Sequence, residues 1–180
     1  ALIAKDAAYR AGGLAPAMTI DDIADGDAER LEGLAKYILA RYEPPAGSVI
    51  AIISNSGINP VPVEMAMIAK EIGLTTIGIT SRSHSQSMPS RHSSGKKLYD
   101  IVDIPIDTCG VPGDAAVELA SYPFKVGALS TLCGSSIVQA ITVETAGMLA
   151  ERGVEPPIWI SANVADGEQH NRSLLEIYRP

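Results

Sequence analysis

The segment 49–59 constrains the fold of this chain more than any other. Five apolar and mostly β-branched residues fill 49–53 and run directly into the polar sequence Ser-Asn-Ser-Gly at 54–57. Pro60 then opens a segment, 60–72, that has good helix composition. This order predicts a buried strand, a tight polar turn and the N-terminus of a helix.

A second strand is predicted at 75–80, after Gly73 ends the helix. A strand, a helix and a strand in this order form a βαβ unit, which requires parallel pairing and a right-handed crossover. Because ligands in such sheets bind at the carboxyl ends of the strands, the segments 54–56 and 80–81 should lie at one edge.

The polar turn at 54–59 is a suitable place for an anion. The free N–H groups at the start of a helix carry roughly half a positive charge. Ser54, Ser56 and Asn59 add side-chain donors, and Gly57 would let a ligand approach the backbone closely. A phosphate ester is therefore a natural ligand. The alternative is that the serines only cap the helix and shape the turn.

The sequence 54–59 also resembles the Ser-x-Ser-Gly-x-Thr phosphate loop of the SIS (sugar isomerase) domain family, with Asn59 where the family usually has Thr. The sequences Gly-Ile-Thr-Ser at 78–81 and Gly-Ala-Leu-Ser-Thr at 127–131 resemble the end of the next SIS strand and the start of the last long SIS helix. The segments 9–16, 89–95 and 167–171 resemble an uncharacterised bacterial branch of SIS proteins.

This resemblance implies an α/β fold, a three-layer αβα sandwich with a mostly parallel, flavodoxin- or Rossmann-like sheet. It also implies a phosphosugar ligand. The residues expected to bind it are Ser54, Asn55, Ser56, Gly57, Asn59, Ser81, Ser130 and Thr131.

A SIS domain opens with a strand and a Gly-rich first ligand loop. This chain instead opens with a segment, 1–11, that is typical of the end of a helix and is stopped by Gly12 and Gly13. We therefore expect one SIS-like domain over 1–180 that lacks the family's first strand and loop. The sequence is then a fragment, the ordered part of a longer chain, or a departure from the family.

The rest of the chain gives further elements. Apolar residues at helical spacing predict a helix within 31–42. Strands are predicted at 101–106, which is interrupted by Pro105, and at 122–126. A long helix follows at 128–150, then a short strand or extended segment at 156–161, and a final helix at 169–178.

The segment 81–97 holds the main concentration of basic residues in an acidic protein. It is either a solvated surface loop or a segment whose His84 or Arg91 closes over an anionic group, since arginine suits bidentate phosphate contacts. A zinc ion at His84 and His92 would lack cysteine or carboxylate ligands nearby in the sequence. We therefore expect no metal and no cofactor.

Composition limits the possible partners. The net charge of −7 and the isoelectric point near 4.9 provide no basic surface for nucleic acid or anionic lipid. The apolar stretch 126–150 carries too many polar groups for a membrane span.

Two cysteines, Cys109 and Cys133, form no disulfide framework, which favours the cytoplasm. The apolar long helix, together with the family's habit, predicts a homodimer or a larger homo-oligomer such as a tetramer.

The resemblance to SIS domains implies phosphosugar binding, with aldose–ketose isomerisation or a related proton abstraction as the reaction. Such a reaction needs an acid–base group near the sugar carbons. Glu64, one turn into the helix after the polar turn, is one candidate, and the resemblance to SIS isomerases implies His170 and Asp6 as others. Glu64 could instead be a favourable helix charge, and His170 a surface or capping residue. The alternative function is a regulatory module that senses a phosphosugar without converting it. Dinucleotide binding is disfavoured because no Gly-x-Gly-x-x-Gly follows a strand.

Overall fold

The computed structural model describes residues 27–178. The chain divides into two compact units, the first ending at Gly134 and the second beginning at Ser135. The predicted helix end at 1–11, and with it the candidate base Asp6, lies outside the described residues. The prediction of a single domain over 1–180 stays a prediction.

The first unit contains a parallel sheet of three strands, β1 (Val49–Ile53), β2 (Thr75–Thr80) and β3 (Ile104–Asp107), in the order β1-β2-β3. Ile50 lies opposite Thr76 in the first pair of strands. The predicted strands 49–53 and 75–80 and their parallel pairing are confirmed.

Helices flank this sheet, which makes the first unit an α/β structure. After a short 3-10 helix at Asp27–Arg30 come α1 (Leu34–Tyr42), α2 (Pro60–Glu71), α3 (Arg82–Ser87) and α4 (Leu98–Ile101). The helix predicted within 31–42 and the one at 60–72 are thus present. The three-layer arrangement stays a prediction.

A small core joins the sheet to α2 and α4. It consists of the buried side chains Ile52, Ala66, Leu98 and Val102, with Ile50, Met65 and Ile101 packed against them. These are aliphatic residues throughout, in keeping with a chain in which only 4% of the residues are aromatic. Burial of this surface is the main force that holds α2 and α4 on the sheet.

The structure between 81 and 106 differs in two details from the expectation. The serine-rich segment after β2 is not all loop, because the Ser81 side chain accepts a hydrogen bond from the His84 N–H at 3.2 Å and so caps α3. The strand predicted at 101–106 starts three residues later. Asp100 accepts a bond from the Lys97 N–H at 3.2 Å, which favours a helical turn over 98–101 instead.

An antiparallel hairpin follows the parallel sheet in the first unit. It is formed by β4 (Ala115–Leu119) and β5 (Tyr122–Ala128). The strand predicted at 122–126 is therefore present, and its partner is β4, a segment for which no element was predicted. Apolar side chains of the hairpin are exposed, including Val117 at 53% and Phe124 at 68%.

The long helix α5 (Leu129–Glu151) begins in the first unit and continues into the second, which also contains α6 (Gly167–Tyr178). The two predicted helices are confirmed, and the segment 156–161 is extended without a strand. By length and composition alone α5 is apolar enough to cross a membrane. The expectation that the chain does not enter a membrane stays a prediction.

Asp103 links α2 to the parallel sheet. One carboxylate oxygen accepts from Lys70 Nζ at 2.7 Å, and the other accepts from the Thr76 N–H at 2.9 Å and the Thr76 hydroxyl at 2.8 Å. These bonds hold the pKa of Asp103 well below its usual range. The bond from Lys70 lowers it most, followed by the bonds from Thr76.

We expect Asp103→Asn to lower the thermal unfolding midpoint at neutral pH, because the amide loses the charge that pairs with Lys70. A carboxyl group with a depressed folded-state pKa stabilises the fold above its unfolded pKa of about 3.9, and this contribution declines as the pH falls further. The difference between parent and variant should therefore shrink below about pH 4. Glu71→Gln, which alters a carboxylate at the end of α2, is the control. If the unfolding midpoints of parent and Asp103→Asn differ as much below about pH 4 as at neutral pH, the Asp103 charge does not stabilise the fold in this way.

Candidate functional site

A cavity of about 1140 Å³ lies in the first unit, beside the carboxyl end of β1. Pockets that hold small molecules usually enclose about 300–1,000 Å³, so this one is large enough for a sugar phosphate. Six of the predicted ligand residues line it: Ser54, Asn55, Ser56, Asn59, His84 and Arg91. The fold thus brings the polar turn after β1 together with two residues of the basic segment.

The polar turn at 54–57 is held by the end of β2. The Ser54 N–H donates to the Ile79 carbonyl at 3.0 Å. The Asn55 carbonyl accepts two bonds, from the Ser81 N–H at 2.9 Å and from the Thr80 hydroxyl at 3.0 Å. The two strand ends therefore lie at one edge, as the βαβ unit predicts.

Gly57 has a different role from the one expected. It is buried, with φ of +59°, and a Cβ built on it would lie 2.9 Å from Thr80 Oγ1 and 3.1 Å from Leu98 Cβ. Gly57 is not among the described residues that line the cavity. Close packing inside the protein, rather than close approach of a ligand, explains the glycine.

Arg91 reaches the phosphate turn through Asn59. Its guanidinium donates to Asn59 Oδ1 at 2.9 Å, and its backbone N–H donates to the Ile58 carbonyl at 2.9 Å. Asn59 is only 4% exposed, so its acceptor needs this partner. These bonds fix a positively charged group beside the turn.

The start of α2 offers fewer free N–H groups than the sequence argument assumed. Asn59 is its N-cap, and two of the first three helical residues are Pro60 and Pro62, which have no N–H. The helix end alone is therefore a weaker anion site than a typical helix N-terminus. An anion here would depend more on the Ser54 and Ser56 hydroxyls and on Arg91.

His84 contacts the turn through Asn55. The amide nitrogen Nδ2 of Asn55 lies 3.4 Å from His84 Nδ1. A bond from this amide places the proton of a neutral His84 ring on Nε2. Asn55 Oδ1 is shielded from solvent and bonds to no group in the described part of the chain.

Three predicted ligand residues lie elsewhere. Ser81 is fully buried, and its hydroxyl donates to the Gly110 carbonyl at 2.6 Å, so it stabilises the fold. Ser130 donates from its N–H and its hydroxyl to the Asp114 carboxylate, at 2.7 and 2.6 Å. Ser130 and Thr131 do not line the cavity, although Asp114 does.

The catalytic candidates Glu64 and His170 are also occupied by other contacts. Both carboxylate oxygens of Glu64 lie 2.7 Å from the Gly33 N–H, and Glu64 is not among the cavity residues. His170 belongs to the second unit, where its Nε2 lies 2.8 Å from the Ile158 carbonyl. The catalytic role of these residues stays a prediction.

Sequence reasoning missed two acidic residues and the apolar wall of the cavity. Glu29, in the 3-10 helix, and Asp114, in the loop before β4, both line it. Asp114 adopts φ of +70°, and only the Gly-Asp turn at 113–114 hinted at this conformation. The wall includes Leu34, Ile38, Ile52, Met65 and Met88.

Comparison with known proteins identifies the family. The family model described as the SIS domain matches residues 1–81. A UPF0309 protein of Shouchella clausii is 41% identical over 188 residues, which cover 99% of this chain and 76% of the relative. A UPF0309 protein of Geobacillus thermodenitrificans is 37% identical over 187 residues, with 99% and 75% covered. A UPF0309 protein of Streptomyces coelicolor is 40% identical over 188 residues, with 98% and 75% covered. These matches confirm the resemblance seen in the sequence: the chain belongs to the UPF0309 family of bacterial proteins and contains a SIS domain region.

Proposed function

We propose that the cavity beside β1 binds a sugar phosphate. The observation that carries this proposal is the meeting of the 54–59 turn with Arg91 at one cavity. The phosphate would accept hydrogen bonds from the Ser54 and Ser56 hydroxyls and from the guanidinium of Arg91, which supplies the positive charge.

The remaining polar and apolar groups suit the sugar. Aliphatic side chains such as Ile52 and Met65 can pack on its C–H surfaces, as in most small-molecule pockets. An unpaired buried acceptor such as Asn55 Oδ1 costs about 1–3 kcal/mol. A small rotation of this side chain toward a sugar hydroxyl would relieve that cost.

We propose isomerisation, or a related proton abstraction, as the reaction. Of the residues that line the cavity, His84 and Glu29 are the acid–base groups with the fewest competing bonds, since Asp114 is engaged by Ser130. His84 could donate the proton on Nε2 to a sugar oxygen while the Glu29 carboxylate accepts one from carbon. Glu64, His170 and Asp6 stay as the alternatives that the sequence suggested.

The test is a panel of hexose, hexosamine and pentose phosphates, each measured for thermal stabilisation and for conversion by NMR. We expect at least one to raise the unfolding midpoint, since a ligand that binds the folded state stabilises it. The corresponding unphosphorylated sugar is the control. Equal stabilisation by sugars with and without phosphate would contradict a phosphate site.

Conversion separates the enzyme from a sensor. If a bound sugar phosphate is isomerised, His84→Asn and Glu29→Gln should lower kcat more than they lower affinity, because acid–base contacts act mainly in the transition state. Glu64→Gln and His170→Asn test the earlier candidates in the same assay. If the protein binds a sugar phosphate of the panel but converts none of them, the alternative function, a regulatory module that senses a phosphosugar, is supported.

We also propose that the protein works in the cytoplasm as a homo-oligomer. The exposed apolar side chains of β4 and β5, and the apolar α5, support self-association, because monomers rarely expose large apolar patches. Light scattering measures the mass of the protein in solution. A monomeric mass at micromolar concentration would contradict the proposed homo-oligomer.

A further inference from the structure

Glu32, Glu64 and His92 meet in space although they are far apart in the sequence. Each offers one ligand atom, and these three atoms lie within 4.8 Å of one another. His92 and Glu64 are largely buried, with side chains 9% and 14% exposed, whereas Glu32 is exposed. The sequence argument against zinc at His92 was the lack of nearby carboxylates, and the fold supplies two.

The distance between His92 and Glu64 is informative. His92 Nε2 lies 3.7 Å from Glu64 Oε1, which is too long for a hydrogen bond. Two ligands bound to one zinc ion at about 2.0–2.2 Å lie at a comparable separation. The two side chains are thus held apart by about the space that a metal ion fills.

The other nitrogen of His92 is already oriented. Nδ1 lies 2.7 Å from the Ser94 hydroxyl and 3.1 Å from the Ser94 N–H. Without an ion, the Ser94 N–H donates to Nδ1 and the ring proton is on Nε2. Binding of an ion at Nε2 displaces the proton there and requires a proton on Nδ1. The bond from the Ser94 N–H to Nδ1 is then broken, and the Ser94 hydroxyl oxygen accepts from Nδ1 instead, as outer partners of metal-bound histidines commonly do.

Both carboxylates are held in place by neighbouring N–H groups. Glu32 accepts from the Ser93 N–H at 2.6 Å and from the Ser93 hydroxyl at 2.9 Å. Glu64 accepts from the Gly33 N–H. Each oxygen retains a lone pair that can bind a cation.

We propose that Glu32, Glu64 and His92 form a binding site for a divalent transition metal ion, with zinc as the best match. One nitrogen and two carboxylate oxygens suit zinc, and water can complete its four ligands. Magnesium and calcium prefer sites made of oxygen alone.

An ion at this site would strengthen a connection next to the cavity. His92 follows Arg91, and Glu64 precedes Met65, and both of those neighbours line the cavity. The ion would tie the 92–94 segment to α2 and to the turn before α1. It would therefore hold Arg91 in place, whatever ligand the cavity takes.

The test is zinc titration by calorimetry on the untagged chain after treatment with a chelator and removal of that chelator. We expect one zinc ion per chain and a higher unfolding midpoint with zinc. His92→Ala should weaken binding by more than about tenfold, and Glu32→Gln, which keeps an acceptor for Ser93, should also weaken it. His170→Ala, which removes a histidine of the second unit, is the matched control.

Cobalt gives a second readout that does not depend on the stability of His92→Ala. Bound Co²⁺ should absorb in the visible range in the parent chain, and Glu32→Gln should change the spectrum. No zinc binding by the parent overturns the proposal. Zinc binding that is unchanged by both His92→Ala and Glu32→Gln, or lost equally in His170→Ala, overturns it as well.

Discussion

Gly57→Ala is expected to destabilise the protein by about 2–4 kcal/mol, from the left-handed backbone and the forced repacking together. The backbone at Gly57 has φ of +59°, which disfavours any residue with a Cβ. The new methyl group would also lie 2.9 Å from Thr80 Oγ1, a buried atom that bonds to the Asn55 carbonyl. Urea unfolding of the parent and the variant measures the difference.

Gly95→Ala is the matched control for this experiment. Gly95 also has a positive φ, of +69°, but a Cβ there would meet no heavy atom within 4 Å. Its replacement should cost only the backbone term of about 1–2 kcal/mol. The excess cost at Gly57 then measures the packing of the turn against Thr80 and Leu98. An equal loss of unfolding free energy in Gly57→Ala and Gly95→Ala would mean that packing against Thr80 and Leu98 does not restrict residue 57.

Arg91→Ala is expected to weaken binding of a sugar phosphate by about tenfold or more, because a hydrogen bond to a charged group contributes about 1.5–3 kcal/mol. The guanidinium lines the cavity and is fixed by Asn59. Binding of the unphosphorylated sugar should change much less. Calorimetry with both sugars separates the loss of a phosphate contact from a general loss of the site.

Two further variants sharpen the Arg91 result. Lys96→Ala removes the same charge from the same segment at an exposed residue that does not line the cavity, and it should leave the affinity nearly unchanged. Arg91→Lys keeps the charge but loses the planar fork, so its affinity should lie between those of the parent and Arg91→Ala. If Lys96→Ala weakens binding as much as Arg91→Ala, the effect is one of net charge, and the Arg91 contact is not supported.

The parallel core of the fold could be predicted because its signals are local. The apolar run at 49–53, Pro60 at the start of α2, and Gly73 after its end each act through neighbouring residues. The strand at 122–126 was also visible, but its partner was not. Strand pairing depends on which segment meets it, and the turns around Gly113 and Asp114 were not recognised as the start of β4.

The site was predictable only where it follows from topology. The βαβ argument predicts that 54–56 and 80–81 lie at one sheet edge, and in the structure His84 and Arg91 line the cavity beside the 54–56 segment. The roles of the remaining predicted residues depend on whether they are buried, and the sequence does not show which residues are buried. Ser81 and Gly57 carry the expected residue types, yet the first caps a helix and the second packs under Leu98. The contacts of Glu64 with Gly33 and His92 join segments distant in the chain, which no local pattern indicates.

The two hydrogen bonds accepted by the Asn55 carbonyl affect how a ligand would bind. Because the Thr80 hydroxyl and the Ser81 N–H already hold the turn, its backbone is ordered before any ligand enters. Little conformational entropy then has to be lost when the anion binds, and the encounter needs no slow rearrangement of this loop. Related ligands should therefore associate at similar rates, and the protein would distinguish them by how long each one stays bound.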